Sequence, residues 1–200
     1  MQAANTVSLS LFPLNTVLFP GGLLPLRIFE QRYLEMTKVC IRDGTPFGVC
    51  HIVQGTEAGP PASHSLVGCT SSIIDWDMPH LGMFQLRTCG GQPFRVLESS
   101  TRANGLIDAE VELIAAEPGA VIEDHVTLCR RLLEKIVERI GSEWFFPPAR
   151  YDLPEWIAYR LAEALPLSAE VRQALLELPD SGARLAQLHA MIIESGMPQT

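Results

Sequence analysis

Lysine is nearly missing from this sequence: only Lys38 and Lys135 occur in 200 residues. A protein that grips a phosphate backbone displaces its counterions with clustered Lys and Arg. Here 15 Lys and Arg face 23 Asp and Glu, for a formal net charge of −8. The deficit is spread along the chain. Residues 1–120 carry 7 basic side chains against 11 acidic ones, and residues 121–200 carry 8 against 12. No basic module hides in either part, so nucleic acid is not an expected partner.

Long apolar runs are missing too. No stretch approaches the ~18 consecutive apolar residues of a membrane-spanning helix. The start, Met1-Gln2-Ala3-Ala4-Asn5, lacks the basic segment of a secretory signal. No membrane association is expected. The five cysteines, Cys40, Cys50, Cys69, Cys89 and Cys129, are odd in number and none are spaced Cys-x-x-Cys. A secreted disulfide scaffold is denser and usually even. Buried thiols acting as small hydrophobes in a cytoplasmic setting are expected instead. Cys50, His51, His64 and Cys69 show no zinc-ligand spacing. No nucleophile–base pair can be argued from spacing either. No metal, cofactor or catalytic residue is expected.

What is present is a globular composition, 47% apolar and 19% charged. A chain of this length buries roughly 70% of the surface its unfolded form exposes, enough for a core without staples. The texture changes near Glu117-Pro118-Gly119. Before it, Gly and Pro punctuate short β-type runs at Val7–Leu11, Phe47–Val53, Leu66–Ile74, Met83–Cys89, Phe94–Glu98 and Ile107–Ile114. Gly90-Gly91 and Asn104-Gly105 read as hairpin turns. Many short strands with frequent turns point to a small barrel or sandwich. One helix interrupts them over Phe29–Arg42, with Phe29, Tyr33, Met36, Val39 and Cys40 near one face and Gly44 as its stop.

After Gly119 the apolar period becomes helical. Val126, Cys129, Leu133, Ile136, Val137 and Ile140 form one stripe that ends at Gly141. Trp144-Phe145-Phe146-Pro147-Pro148 is an apolar elbow, since prolines cannot continue a helix. Asp152-Leu153-Pro154-Glu155 reads as a capping box. Ser168 and Asp180 read as caps of two further helices, the last with Leu185, Leu188, Met191 and Ile192 inward. The expected fold class is α+β, with a β-rich part over 1–117 and a helical part over 118–200.

Leu11-Phe12-Pro13-Leu14 followed by Val17-Leu18-Phe19-Pro20-Gly21-Gly22 resembles the opening of the Lon protease amino-terminal, substrate-binding domain family. Pro25-Leu26-Arg27-Ile28-Phe29-Glu30-Gln31-Arg32-Tyr33 continues it in the form of stand-alone bacterial members. Val67-Gly68-Cys69-Thr70 is similar to the family's Gly-Thr strand, with Thr displaced by one. The run from Leu81 through Gly90-Gly91 to Arg95-Val96 resembles its next hairpin. Leu161-Ala162-Glu163-Ala164-Leu165-Pro166-Leu167 and Gln173–Leu178 resemble its helical tail. The resemblance spans about residue 7 to 195. It implies a PUA-like β pseudo-barrel with one helix, then a C-terminal helical bundle, and a role in recognising unfolded polypeptide. The chain has no Gly-x-x-x-x-Gly-Lys-[Ser/Thr] phosphate cradle, and its two lysines leave no place for a peptidase domain with a Ser–Lys dyad. An enzyme is not expected.

Binding candidates follow. Arg27, Glu30, Arg32 and Tyr33 flank the first helix. They form either the polar rim of a groove or an Arg–Glu pair pinning the helix. Phe19 and Pro20 form either an exposed apolar loop, which marks a binding surface, or a core plug. Asp75 and Trp76 sit where two strands are joined, and a Trp between carboxylates suits an extended peptide. Phe47 joins Phe19 and Trp76 as an expected groove-lining aromatic. His125 and His189 read as helix-surface or cap residues. The leading expectation is a polypeptide or protein partner held in an apolar groove between the two parts, with strand-edge pairing. A small-molecule sensor with a pocket between the two parts is the alternative. RNA binding through a PUA-like barrel is a third reading, opposed by the acidic balance. The oligomeric state stays open.

Overall fold

The computed structural model describes residues 5–115, 119–141 and 148–196. Contacts divide the chain into two compact units, Met1–Ala115 and Ala116–Thr200. The first is a mixed sheet with one helix and the second is helical, which makes the chain α+β.

In the first unit the strands are β1 (Thr6–Leu14), β2 (Leu23–Ile28), β3 (Phe47–Gln54), β4 (Ser63–His80), β5 (Met83–Thr101) and β6 (Ile107–Leu113), with α1 (Gln31–Asp43) between β2 and β3. Their order is β2-β5-β4-β3-β1-β6, and β5 also pairs with β6. The pairings of β1, β3, β4, β5 and β6 therefore run in a circuit, with β2 added outside it. Only β1 and β3 are parallel. Alternation along β1 sends its apolar residues to two clusters. Phe12 and Leu14 meet Tyr33, Met36, Phe47 and Leu86, while Leu9 and Leu11 meet Phe94, Val96 and Val111. The Phe12 ring lies 4.2 Å from that of Tyr33 and 6.2 Å from that of Phe47.

Three sequence expectations change here, and one strand not marked in the sequence appears. Gly90 and Gly91 are not a turn: the 19-residue β5 continues through them, with a shift in its pairing to β4 between Gly90 and Pro93. Gly90 instead lets the Phe19–Gly22 loop lie against the strand. The Gly21 N–H donates to the Gly90 carbonyl at 2.7 Å, and Gly90 returns a bond to Gly22 at 2.8 Å. A Cβ on Gly90 would fall inside contact distance of the Phe19 carbonyl. Second, Asp75-Trp76-Asp77 lies within β4, paired to Arg87, Leu86 and Gln85; the turn comes later, at Leu81-Gly82. The unmarked strand is Leu23–Ile28, which forms despite Pro25. It pairs with β5 alone, and an edge strand tolerates a missing N–H. Third, Phe29 is 63% exposed. It precedes the helix, whose N-cap is Glu30 in extended conformation, so the helical period does not apply to it. Gly44 does end α1 in the left-handed region at φ 65°, where a residue without Cβ costs least.

The second unit holds α2 (Glu123–Ile140), α3 (Pro154–Ala164), α4 (Ala169–Glu177) and α5 (Ser181–Glu194). Val126, Cys129, Leu133, Ile157, Leu161, Leu185, Leu188 and Ile192 are buried. Ser168 and Asp180 cap α4 and α5, accepting from the Val171 and Ala183 N–H groups at 3.3 and 2.8 Å. Asp152 caps nothing. The N-cap of α3 is Leu153, with no side-chain bond, and Asp152 pairs with Arg150 at 3.2 Å. Residues 144–147 of the expected elbow lie outside the described residues.

Candidate functional site

The circuit of strands leaves one part of the sheet projecting beyond it. β3 pairs with β4 only between Ser63 and Ser71. From Ser72 to His80, β4 pairs with β5 alone, and β5 carries β2 on its other side. This three-stranded arm, β4–β5–β2, leaves the outer edge of β4 without a strand partner among the described residues. An open edge presents N–H and C=O groups to any extended chain that approaches it.

Residues directly opposite in neighbouring strands share a face. Asp77, Gln85 and Arg27 form one row across the arm, and Asp75, Arg87 and Pro25 form the next. Both rows lie opposite the face of buried Leu86. They bound a shallow concavity of about 580 Å³. Neither Arg27 nor Arg87 has an ion-pair partner among the described residues, so the face mixes free cations with carboxylates. Trp76 stands directly opposite Leu86. Its indole meets the Phe84 ring edge-on at 5.7 Å while 49% of the residue stays exposed. Ile74, Met78 and Leu81 are exposed beside it.

Of the residues singled out in the sequence, the arm thus gathers Arg27, Asp75 and Trp76. The others do not join them. Phe19 and Phe47 are buried at 0% and 1% exposure and offer no surface; Phe47 packs in the cluster around Phe12. Pro20 is half-buried in the loop that Gly21 ties to Gly90. Arg32 is buried, pairs with Glu30 at 2.9 Å and donates to the Gly105 carbonyl at 3.2 Å. Its guanidinium lies 4.6 Å from the Tyr33 ring centroid. This set pins the start of α1 to the β5–β6 turn. Burial, helped by the Glu30 charge and opposed by Arg32, raises the Tyr33 pKa. His125 and His189 stack on each other with ring centroids 4.4 Å apart. Burial pushes the Cys50 and Cys129 thiols up to about 12, so both stay protonated and unreactive near neutral pH.

A second concavity was not legible in the sequence. A half-open groove of about 700 Å³ runs between α1, β1 and the β5–β6 connection. Met36, Val39, Leu9 and Leu113 give it an apolar lining, and Glu35, Arg102 and Asp108 a charged one. Its residues come from five separate stretches, and no local pattern joins them.

The model of the ATP-dependent protease La (Lon) substrate-binding domain family matches residues 8–194. The chain belongs to this family. Lon protease 2 of Myxococcus xanthus is 28% identical over 188 residues, covering 88% of this chain and 22% of that protein. Lon protease 2 of Syntrophobacter fumaroxidans is likewise 28% identical over 190 residues, covering 88% and 23%. The chain therefore spans under a quarter of the length of these curated relatives, and what it matches is a substrate-binding region, not a catalytic one. A crystal structure of a Lon N-terminal domain protein from Xanthomonas campestris is similar at TM-score 0.75 and 37% identity, over 92% of this chain and 98% of that one. The N-terminal domain of a Mycobacterium avium complex Lon protease shares the fold at TM-score 0.66 and 14% identity, over 96% and 99%. Among the described residues, no helix of this Lon-family domain is long and apolar enough to cross a membrane.

Proposed function

We propose that this Lon-family domain is a non-catalytic binding protein for extended polypeptide, and that the β4–β5–β2 arm is its binding surface. The carrying observation is the free edge of β4 from Ser72 to His80 with half-exposed Trp76 on it. Backbone pairing along such an edge is indifferent to the peptide's sequence, which suits a receptor for many unfolded chains. Trp76 supplies a rigid apolar anchor, and the Arg27–Asp77 and Arg87–Asp75 rows supply charges of both signs for flanking side chains. The circuit of strand pairings in the first unit supports reading it as a PUA-like pseudo-barrel. A fold of that kind leaves function to its exposed surfaces.

The test is binding of a permanently unfolded, carboxymethylated polypeptide, followed by fluorescence anisotropy. Trp76→Ala should weaken it about tenfold or more, the effect of losing a central aromatic anchor. Leu97→Ala, an exposed apolar position on β5 outside the arm, should leave it unchanged. Equal binding by Trp76→Ala and the parent protein would remove the arm from consideration.

A further inference from the structure

The groove beside α1 shares no lining residue with the arm. Its volume of about 700 Å³ falls in the ~300–1,000 Å³ range of small-molecule sites. One wall is the flank of α1 bearing Glu35, Met36 and Val39, and Val39 is 44% exposed there. The facing strands contribute Leu9, Leu113 and Asp108. An aliphatic body can cover Val39 and its apolar neighbours.

The charged side chains decide what head group such a body carries. Arg102 is the one cation among the lining residues, and one edge of it is paired. Its Nη2 donates to Asp108 Oδ1 at 2.9 Å and its Nε to Oδ2. Asp108 Oδ1 also accepts from Ser10 Oγ at 2.9 Å. Glu35 stands near the same guanidinium and adds to the negative charge around it. Its Oε2 accepts from Asn104 at 3.0 Å and its Oε1 from Gln31 at 2.9 Å. A carboxylate has about four lone-pair sites, so each Glu35 oxygen retains acceptor capacity. Two carboxylates thus face one committed guanidinium. An anion entering here meets two carboxylates against one guanidinium whose Nε/Nη2 edge is already taken by Asp108. A cation meets ready acceptors.

We propose that this groove is a binding site for a small molecule with an aliphatic body and a protonated amine head. The site is independent of the polypeptide reading and is tested separately on the full chain. Octylammonium, octanol and octanoate are titrated below their aggregation thresholds at fixed ionic strength, and binding is followed by calorimetry. Octylammonium should bind saturably at one site, with octanol about tenfold weaker and octanoate weaker still. Val39→Trp, which fills the groove from an exposed position, should weaken octylammonium at least about tenfold with the fold intact by circular dichroism. Glu35→Gln, which removes charge and little volume, should weaken octylammonium and spare octanol. Three results would overturn the proposal. They are octanoate binding as well as octylammonium, native-like Val39→Trp binding undiminished, or displacement of octylammonium by an unfolded polypeptide, which would make the groove a peptide site.

Discussion

Glu163 shows how burial and charge compete at one side chain. It lies on α3 beside Arg160, which is fully buried and donates to it at 3.1 Å. Arg172 stands close by, donating to the Glu163 and Leu165 carbonyls at 3.3 and 3.1 Å. Both guanidinium groups favour the ionised carboxyl. Desolvation opposes them and is the larger effect, raising the pKa from 4.5 to about 7. A carboxyl whose pKa is higher folded than unfolded binds more protons in the native state between the two values. Its contribution to stability is therefore full below about 4.5 and is lost as pH rises through about 7. Glu163→Gln cannot ionise, yet keeps an acceptor for Arg160. Thermal unfolding between pH 5 and 8 should show a fall in melting temperature for the parent protein that is flatter in the variant. Parallel curves would mean that the two arginines outweigh burial after all.

At the scale of elements, two aspartates that look alike in sequence behave differently. Asp180 accepts from the Ala183 N–H and closes the first turn of α5. Asp152 sits one residue before the N-cap of α3 and, among the described residues, pairs with Arg150, with both side chains well exposed. Replacing an N-cap Asp with Ala costs about 1 kcal/mol, whereas an exposed ion pair contributes about 0–1 kcal/mol. Asp180→Ala should lower stability to urea by roughly 1 kcal/mol, and Asp152→Ala should leave the urea midpoint unchanged within error. The contrast also marks what a sequence can disclose. Ser168, Asp180 and Gly44 were legible because a cap or stop is completed within a few residues. The turn at Asn104-Gly105 was legible for the same reason: Asn104 Oδ1 accepts from the Leu106 N–H at 3.0 Å. Gly90-Gly91 misled because its partners are Phe19–Gly22, some seventy residues earlier. Asp75 and Trp76 were singled out separately from Arg27, and only the strand pairing brings the three onto one arm. Their place inside a strand depends on β5, and nothing local shows that the β4 edge is left open. Phe19 read equally well as binding surface or core plug, and Phe47 as a groove aromatic, until the chain closes around both.

At the scale of the whole molecule, the charge pattern bears on the third reading, RNA. A PUA-like arrangement of strands invites it, but polyanion binding needs cations that are free as well as present. Most of the arginines described are engaged within the protein. Arg32 pairs with Glu30, Arg42 with Asp43, Arg102 with Asp108, Arg150 with Asp152 and Arg160 with Glu163. Arg184 donates to the Leu175 and Leu178 carbonyls, both at 2.8 Å. Arg27 and Arg87 share the arm with Asp75 and Asp77, which cancel them at the range an RNA backbone would feel. Arg131, Lys135 and Arg139 on α2 have no ion-pair partner among the described residues, but Glu134 and Glu138 alternate with them and the net charge of −8 opposes a polyanion. Single-stranded and hairpin RNA should therefore show no saturable binding by electrophoretic mobility shift at 150 mM salt, and lowering the salt to 50 mM should not rescue it. A phosphate-driven site would tighten steeply over that range. If RNA did bind with such a slope, the candidates would be Arg27 and Arg87 of the arm and Arg131, Lys135 and Arg139 of α2, and replacing one of the two sets with Ala would have to abolish it.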